Sequence, residues 1–277
     1  MQTTLFKSVG IAGIGLIGGS LAKDLRTFGL VGRILGWNRT LSHAERALEL
    51  GLVDETLPTL EALVDASELI VLATPVDILV KTLPAILDRL RPGQVVIDVG
   101  STKQAIVEAV AQHPNRKQFV ACHPMAGTEK SGPDAAVENL FRNRFTLLIN
   151  PAESDPELLC RVSSMWSQVG AVLATMSAQE HDQTAALLSH MPHVLAYALL
   201  RTIKEAERNQ ALNARFAGGG LASMTRIAHS PISMWRPIFK QNKVALLDAI
   251  DTFIKHLSIF REVIAKDDDE RLSELMK

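Results

Sequence analysis

The chain has 277 residues, enough for one large or two modest domains, and its 47% hydrophobic content gives it cores to bury. Its 29 basic residues nearly balance 30 acidic ones, for a net charge of −1, which excludes nucleic acid or an anionic membrane surface as the main partner. Cys122 and Cys160 lie far apart without a C-x-x-C pair, which excludes a disulfide framework or zinc knuckle and fits a reducing compartment.

The almost uncharged run from Val9 to Ala22 could pass for a signal-peptide core, but it is glycine-rich and too short to span a bilayer. It reads instead as part of the fold, in a cytoplasmic protein. Val9 to Ala12 is a short buried strand that runs into Gly13-Ile-Gly15-Leu16-Ile17-Gly18 and then into a helical pattern. This is G-x-G-x-x-G between a strand and a helix. Gly13 permits the tight turn, Gly15 admits a pyrophosphate to the backbone, and Gly18 lets helix and strand pack closely. The helix N-terminus, with the amides of Leu16 and Ile17, offers free N–H groups and a positive dipole end. A dinucleotide cofactor is expected here.

Arg33 to Trp37 reads as the second strand, after which an acid would normally grip the adenine ribose. Here the run is Asn38-Arg39-Thr40. Asn38 can still bond a hydroxyl, while Arg39 and Thr40 suit a 2′-phosphate, so the cofactor leans to NADP over NAD, or to weak discrimination between them. Arg39 as a plain solvated loop residue is the alternative.

Strands follow at Glu68 to Ala73 and Gln94 to Val99, with helices at Ser42 to Leu50, at Asp77 to Leu90 and after Lys103. Arg144 to Asn150 and Ala171 to Met176 add strands, with a helix from Asp155 to Val169. The alternation predicts a doubly wound parallel sheet of Rossmann type over residues 1–176, with ligands beyond the strand C-termini. Thr74, Ser101 and His123 sit at such ends. His123, held by Pro124 in the run C-H-P-M-A-G-T-E-K-S-G, is the candidate general base; an ordinary loop histidine is the other reading. Ser101 could face the nicotinamide, cap a helix, or do both.

From Ser177 the periodicity turns helical, which predicts an all-α domain over 177–277. Ser177 to Glu180 is a capping box. Pro192 interrupts the first helix between His190 and His193, so a kink is expected there, either at a functional site or around core histidines. No carboxylate or cysteine completes a metal set with them. Gly218-Gly219-Gly220 reads as a loop, with Arg226 just beyond. Trp235 beside Arg236 offers an apolar wall and a carboxylate clamp, or plain core packing. Lys243 to Lys266 is a long helix with one apolar face, through Val244, Leu247, Ile250, Ile254, Leu257, Phe260 and Ile264. A domain this small buries that face best against a copy of itself, so a homodimer is expected.

Taken together, G-x-G-x-x-G-G-S at Gly13 to Ser20, D-V-G-S-T-K at Asp98 to Lys103, and H-P-M-A-G-T-E-K-S-G at His123 to Gly132 resemble the prephenate dehydrogenase family. So do S-H-M-P-H at Ser189 to His193, G-G-G, T-R-I-A from Thr225 and M-W-R from Met234. The resemblance covers most of the chain. It implies oxidative decarboxylation of prephenate with NAD or NADP, in tyrosine biosynthesis, with arogenate as the alternative substrate and a dinucleotide-sensing dimer as a non-catalytic one. It implies that His123 is catalytic and that Ser101, His193, Arg226 and Trp235 line the substrate pocket. Glu129 and Gly219 would shape or gate it, Gly219 from a second copy. Leu221-Ala222-Ser223 departs from the aromatic-Arg-Asp run the family often has, and Asn38 stands where NAD-using members tend to carry Asp.

Overall fold

The computed structural model describes residues 4–209 and 216–277. An eight-stranded sheet has the order β3-β2-β1-β4-β5-β6-β7-β8. Its strands are β1 (Phe6–Ala12), β2 (Val31–Trp37), β3 (Glu55–Thr56), β4 (Leu69–Leu72), β5 (Val95–Asp98), β6 (Phe119–Pro124), β7 (Phe145–Ile149) and β8 (Val172–Met176). Helices α1 (Leu16–Thr27), α2 (Leu41–Glu49), α3 (Leu60–Ala66), α4 (Val76–Arg89), α5 (Gln104–Glu108) and α6 (Pro156–Gln168) connect them. The short β3 and α3 are elements that sequence periodicity does not resolve.

The sheet is not wholly parallel. β6 and β7 pair antiparallel, with His123 opposite Leu147 and Pro124 opposite Thr146. The chain between them makes no helical crossover. It folds over α1, where Ser20 and Asp24 accept the backbone amides of Val137 and Asn139, and returns at the edge it left. A parallel return would need a crossover to the far edge.

Alternate residues of the central strands feed two cores. Val9, Ile11, Val71, Ile97 and Cys122 face one, with Phe141 packed edge-on against Trp166. Ala12, Leu72, Val96, Ala121 and Ile149 face the other. Burial on both faces explains why these strands read as continuous apolar runs.

The chain forms two compact units, and neither is a single stretch. The first runs through Asp182 and also takes His229–Gln241; the second comprises Gln183–Ala228 and Asn242–Lys277. In the first, α10 (Ile232–Gln241) packs on α4, and its Trp235 and Ile238 join the second core. α7 (Ala178–Ala185) starts at the predicted capping box: Ser177 Oγ accepts the Glu180 amide at 3.2 Å, and Glu180 accepts the Ser177 amide at 2.8 Å.

In the second unit, residues Ala186–His190 form a π-helical turn before α8 (Met191–Arg208). The Met191 amide donates to Ala186 O, one residue further back than in an α-helix. Pro192 thus stands just past the π-turn, whose widened ladder carries a continuous helical run through the proline. The glycine run is not a loop throughout: Gly218 is the N-cap of α9 (Gly219–Thr225). Glycine is an accepted N-cap residue, so the run can start a helix although it would weaken a helix interior. α11 (Lys243–Ala265) and α12 (Asp269–Leu275) complete the unit. α11 buries Leu246, Ala249 and Val263, while Val244, Leu247, Ile254, Leu257 and Ile264 are exposed in the single chain.

Gly18 is fixed by packing. A Cβ there would lie 2.3 Å from Gly13 O and 2.9 Å from Ile11 Cγ2. Gly18→Ala is expected to cost about 1–3 kcal/mol. Thermal unfolding checks this, and an unchanged Tm would contradict it.

Candidate active site

Four strand ends converge on the C-terminal edge of the parallel part of the sheet. The glycine loop leaves β1, Thr74 follows β4, Ser101 follows β5, and His123 closes β6. The order of the strands, β1-β4-β5-β6, makes these ends neighbours.

The glycine loop is built to receive an anion. Gly13 has φ +95°, and a Cβ on it would lie 2.5 Å from Ala73 O. A Cβ on Gly15, by contrast, would meet nothing nearer than the Gly132 amide at 4.0 Å, so space lies open above it. No side chain caps the N-terminus of α1. Asn38 spends its Oδ1 on the Ile14 amide at 3.0 Å, and its buried Nδ2 has no hydrogen-bond partner. Open space, uncapped helix amides and an orphan donor fit a dinucleotide. Arg39 and Thr40 are exposed beside them.

The strand ends are tied together by a buried ion pair. Asp98, the last residue of β5, bonds the Lys103 ammonium, and both side chains are fully buried. Asp98 also accepts the Gly100 amide at 2.8 Å and the Cys122 amide at 3.2 Å, and Lys103 Nζ donates to Cys122 O at 2.6 Å. Both backbone groups of the residue before His123 are thereby held.

His123 is buried, and its Nδ1 lies 2.7 Å from Nε2 of His181. Nδ1 of His181 in turn lies 2.7 Å from Asp182 Oδ1. Asp182 accepts the Lys103 amide at 2.8 Å and the Gln104 amide at 3.0 Å, so it caps α5. Ser101 is therefore not the cap of that helix. Burial pushes the His181 pKa below its ordinary 6.5, against the pull of Asp182. Burial alone would raise the Asp182 carboxyl, but the bonds from His181 and the Gln104 amide outweigh it and hold it below 3.8.

Glu129 is half-buried in the loop after β6. Trp235 packs on Phe239 with ring centroids 5.4 Å apart. In the second unit, His193 Nδ1 donates to Ser189 O at 2.9 Å. Burial lowers the His193 pKa, the Ser189 bond opposes this, and the charge of Arg226 lowers it further. His190 is fully buried with Nδ1 3.0 Å from Asn242 Nδ2. Arg226 ends α9 and is exposed, as is Gly219 at its start. Among the described residues, no group of three or more His, Cys, Asp or Glu is placed to hold a metal ion.

His181 and Asp182 escape the sequence reading. Their signal is a His-Asp pair just inside the capping box, hidden because helical position alone does not say which strand end the first turn will meet.

A family model described as prephenate dehydrogenase, nucleotide-binding domain, matches residues 21–175, and one described as prephenate dehydrogenase, dimerization domain, matches residues 177–277. The chain is 35% identical over 272 residues to a prephenate dehydrogenase of Bacillus subtilis, covering 96% of this chain and 72% of that protein. Its structure is similar to that of the A. aeolicus prephenate dehydrogenase in complex with hydroxyphenyl propionate and NAD+. The TM-score is 0.88 at 33% identity, over 98% of this chain and 94% of that one. It is also similar to the Synechocystis arogenate dehydrogenase, with TM-score 0.77 and 31% identity over 97% of this chain and 96% of that one.

Removing one member of a buried ion pair strands the other. Lys103→Met is expected to cost about 3–5 kcal/mol, measured by urea unfolding. The double variant Asp98→Asn/Lys103→Met should lose less. Equal losses would show that the charge pair is not what holds this corner.

Proposed function

Because the chain belongs to the prephenate dehydrogenase family, we propose that it catalyses the oxidative decarboxylation of prephenate to 4-hydroxyphenylpyruvate and carbon dioxide, in tyrosine biosynthesis. A bound nicotinamide dinucleotide supplies the hydride acceptor. The observation that carries the reading is a buried, hydrogen-bonded imidazole at the sheet edge that also carries the open glycine loop.

His123 is the general base for the ring hydroxyl of the substrate. The O–H proton moves to the imidazole as the hydrogen on the same ring carbon departs as hydride and carbon dioxide leaves, and the ring becomes aromatic. Such help is worth about 10²–10⁴-fold. Ser101 and Thr74, at neighbouring strand ends, line the same edge. Arg226 supplies a planar cation for a substrate carboxylate. His193, whose Nδ1–H is engaged by Ser189, presents Nε2 as an acceptor. Trp235 gives an apolar wall, Glu129 shapes the entrance, and Gly219 reaches the pocket of a second copy.

The cofactor loop supports NADP over NAD. With Oδ1 taken by Ile14, Asn38 has only N–H donors left. A ribose 2′-hydroxyl can accept from such a donor but meets no carboxylate here to take its own proton, whereas a 2′-phosphate takes donors only, which Asn38, Arg39 and Thr40 provide. The exposed apolar residues of α11 support a homodimer through the helical domain. Among the described residues no helix is long and apolar enough to cross a membrane. Two free cysteines fit the cytoplasm.

His123→Asn is expected to keep the prephenate KM within a few fold and to lose at least about 10²-fold in kcat. A loss of only a few fold would remove His123 as the base. Arogenate assayed beside prephenate decides the substrate, with faster turnover of prephenate expected. Fluorescence titration should give NADPH the lower Kd, and a lower Kd for NADH would contradict the assignment of Asn38.

A further inference from the structure

We propose that His181 and Asp182 are positioning residues that fix His123 in its Nδ1–H tautomer, leaving Nε2 as the basic nitrogen. The inference rests on His123 being the base, and it adds which nitrogen acts and what sets it.

The direction of the chain follows from its far end. Asp182 already accepts two backbone amides, and as a carboxylate it can only accept from His181. The proton between them is therefore on Nδ1 of His181. His181 is fully enclosed, and in its neutral form it carries one ring proton, so its Nε2 can only accept. The nitrogen 2.7 Å away, His123 Nδ1, must then be the donor. A neutral His123 with its proton on Nδ1 has its lone pair on Nε2.

This order has a consequence for proton transfer. When Nε2 takes the substrate proton, His123 becomes a cation whose Nδ1–H already points at a neutral acceptor, backed by a buried carboxylate. No proton has to leave the chain and no ring has to turn. Hydrogen bonds to ionised groups are the stronger kind, so the bond from Nδ1 tightens as the charge forms. With the opposite tautomer, Nε2 would carry a hydrogen and could not accept one. The other charged groups near His181 are Lys103, which disfavours a second ring proton, and Asp98, whose opposite pull is smaller; both are engaged in their own ion pair. They leave Asp182 as the group that sets the direction.

The test reads the tautomer itself. Isotope-labelled histidine in the full chain is examined at neutral pH, with the His123 signals identified by their loss in His123→Asn. Ring nitrogen shifts should show Nδ1 protonated and Nε2 bare, against the preference of imidazole in water for Nε2–H. His181→Leu should move His123 toward the Nε2–H form and lower kcat at least about 10-fold, with the cofactor Kd and prephenate KM within a few fold. His181→Gln, whose side-chain oxygen can still accept from Nδ1–H, should recover much of both. A wild-type His123 found as Nε2–H overturns the proposal, as does an unchanged tautomer in a folded His181→Leu. The wild-type measurement stands even where the leucine variant does not fold. It also needs no substrate: a chain that turns over neither prephenate nor arogenate yet shows the Nδ1–H form would refute the assigned activity and leave the tautomer assignment standing.

Discussion

The Asp182 carboxylate accepts hydrogen bonds from two consecutive backbone amides, Lys103 and Gln104, and from the ring of His181. One side chain therefore ties three things together: the start of α5, the first turns of α7 and, through His181, the imidazole at the end of β6. A carboxylate buried to this degree would ordinarily be held as the neutral acid. Three donors keep it charged, and a charged acceptor is what gives the chain His123–His181–Asp182 a direction. Without that charge, the same two rings and carboxyl group could bond in either sense.

A second buried polar system backs the first. Asp98 and Lys103 sit beneath the same corner, and between them they grip both backbone groups of Cys122. Lys103 belongs to both systems, through its ammonium in one and its amide in the other. Ion pairs this deep contribute little net stability, since desolvation offsets most of the attraction. Their effect is geometric. A strand end that could otherwise fray is fixed on both sides of the peptide before His123. The apolar cores on the two faces of the sheet supply the stability that this arrangement consumes.

Much of this was legible in the residues, for reasons that are local. Gly13, Gly15 and Gly18 between an apolar run and a helical pattern announce their turn, because Gly13 and Gly18 leave no room for a side chain and Gly15 keeps the loop open. Ser177 and Glu180 announce a helix start, because a capping box is a contact across three residues. His123 could be placed at a strand end because Pro124 follows it. The antiparallel β7 was not legible, since its direction depends on how the preceding loop crosses α1 rather than on its own sequence. Pro192 was legible as an irregularity but not as a π-turn, whose widened ladder carries the helix through it. Trp235 left core and pocket both open in the sequence, and it packs in the core of the first unit. The His181–Asp182 pair was invisible, because its partners lie far away in the chain and no spacing rule links them. The cofactor and substrate contacts of Arg226, His193 and Glu129 rest on their motifs and their chemistry.

A crystal structure of the enzyme with its dinucleotide and a hydroxyphenyl substrate analogue tests the central claim most directly. The account predicts Nε2 of His123 within about 3 Å of the analogue's ring hydroxyl, with Nδ1 still on His181. A ring turned so that Nδ1 faces the ligand, or a ligand hydroxyl bound away from His123, would contradict it.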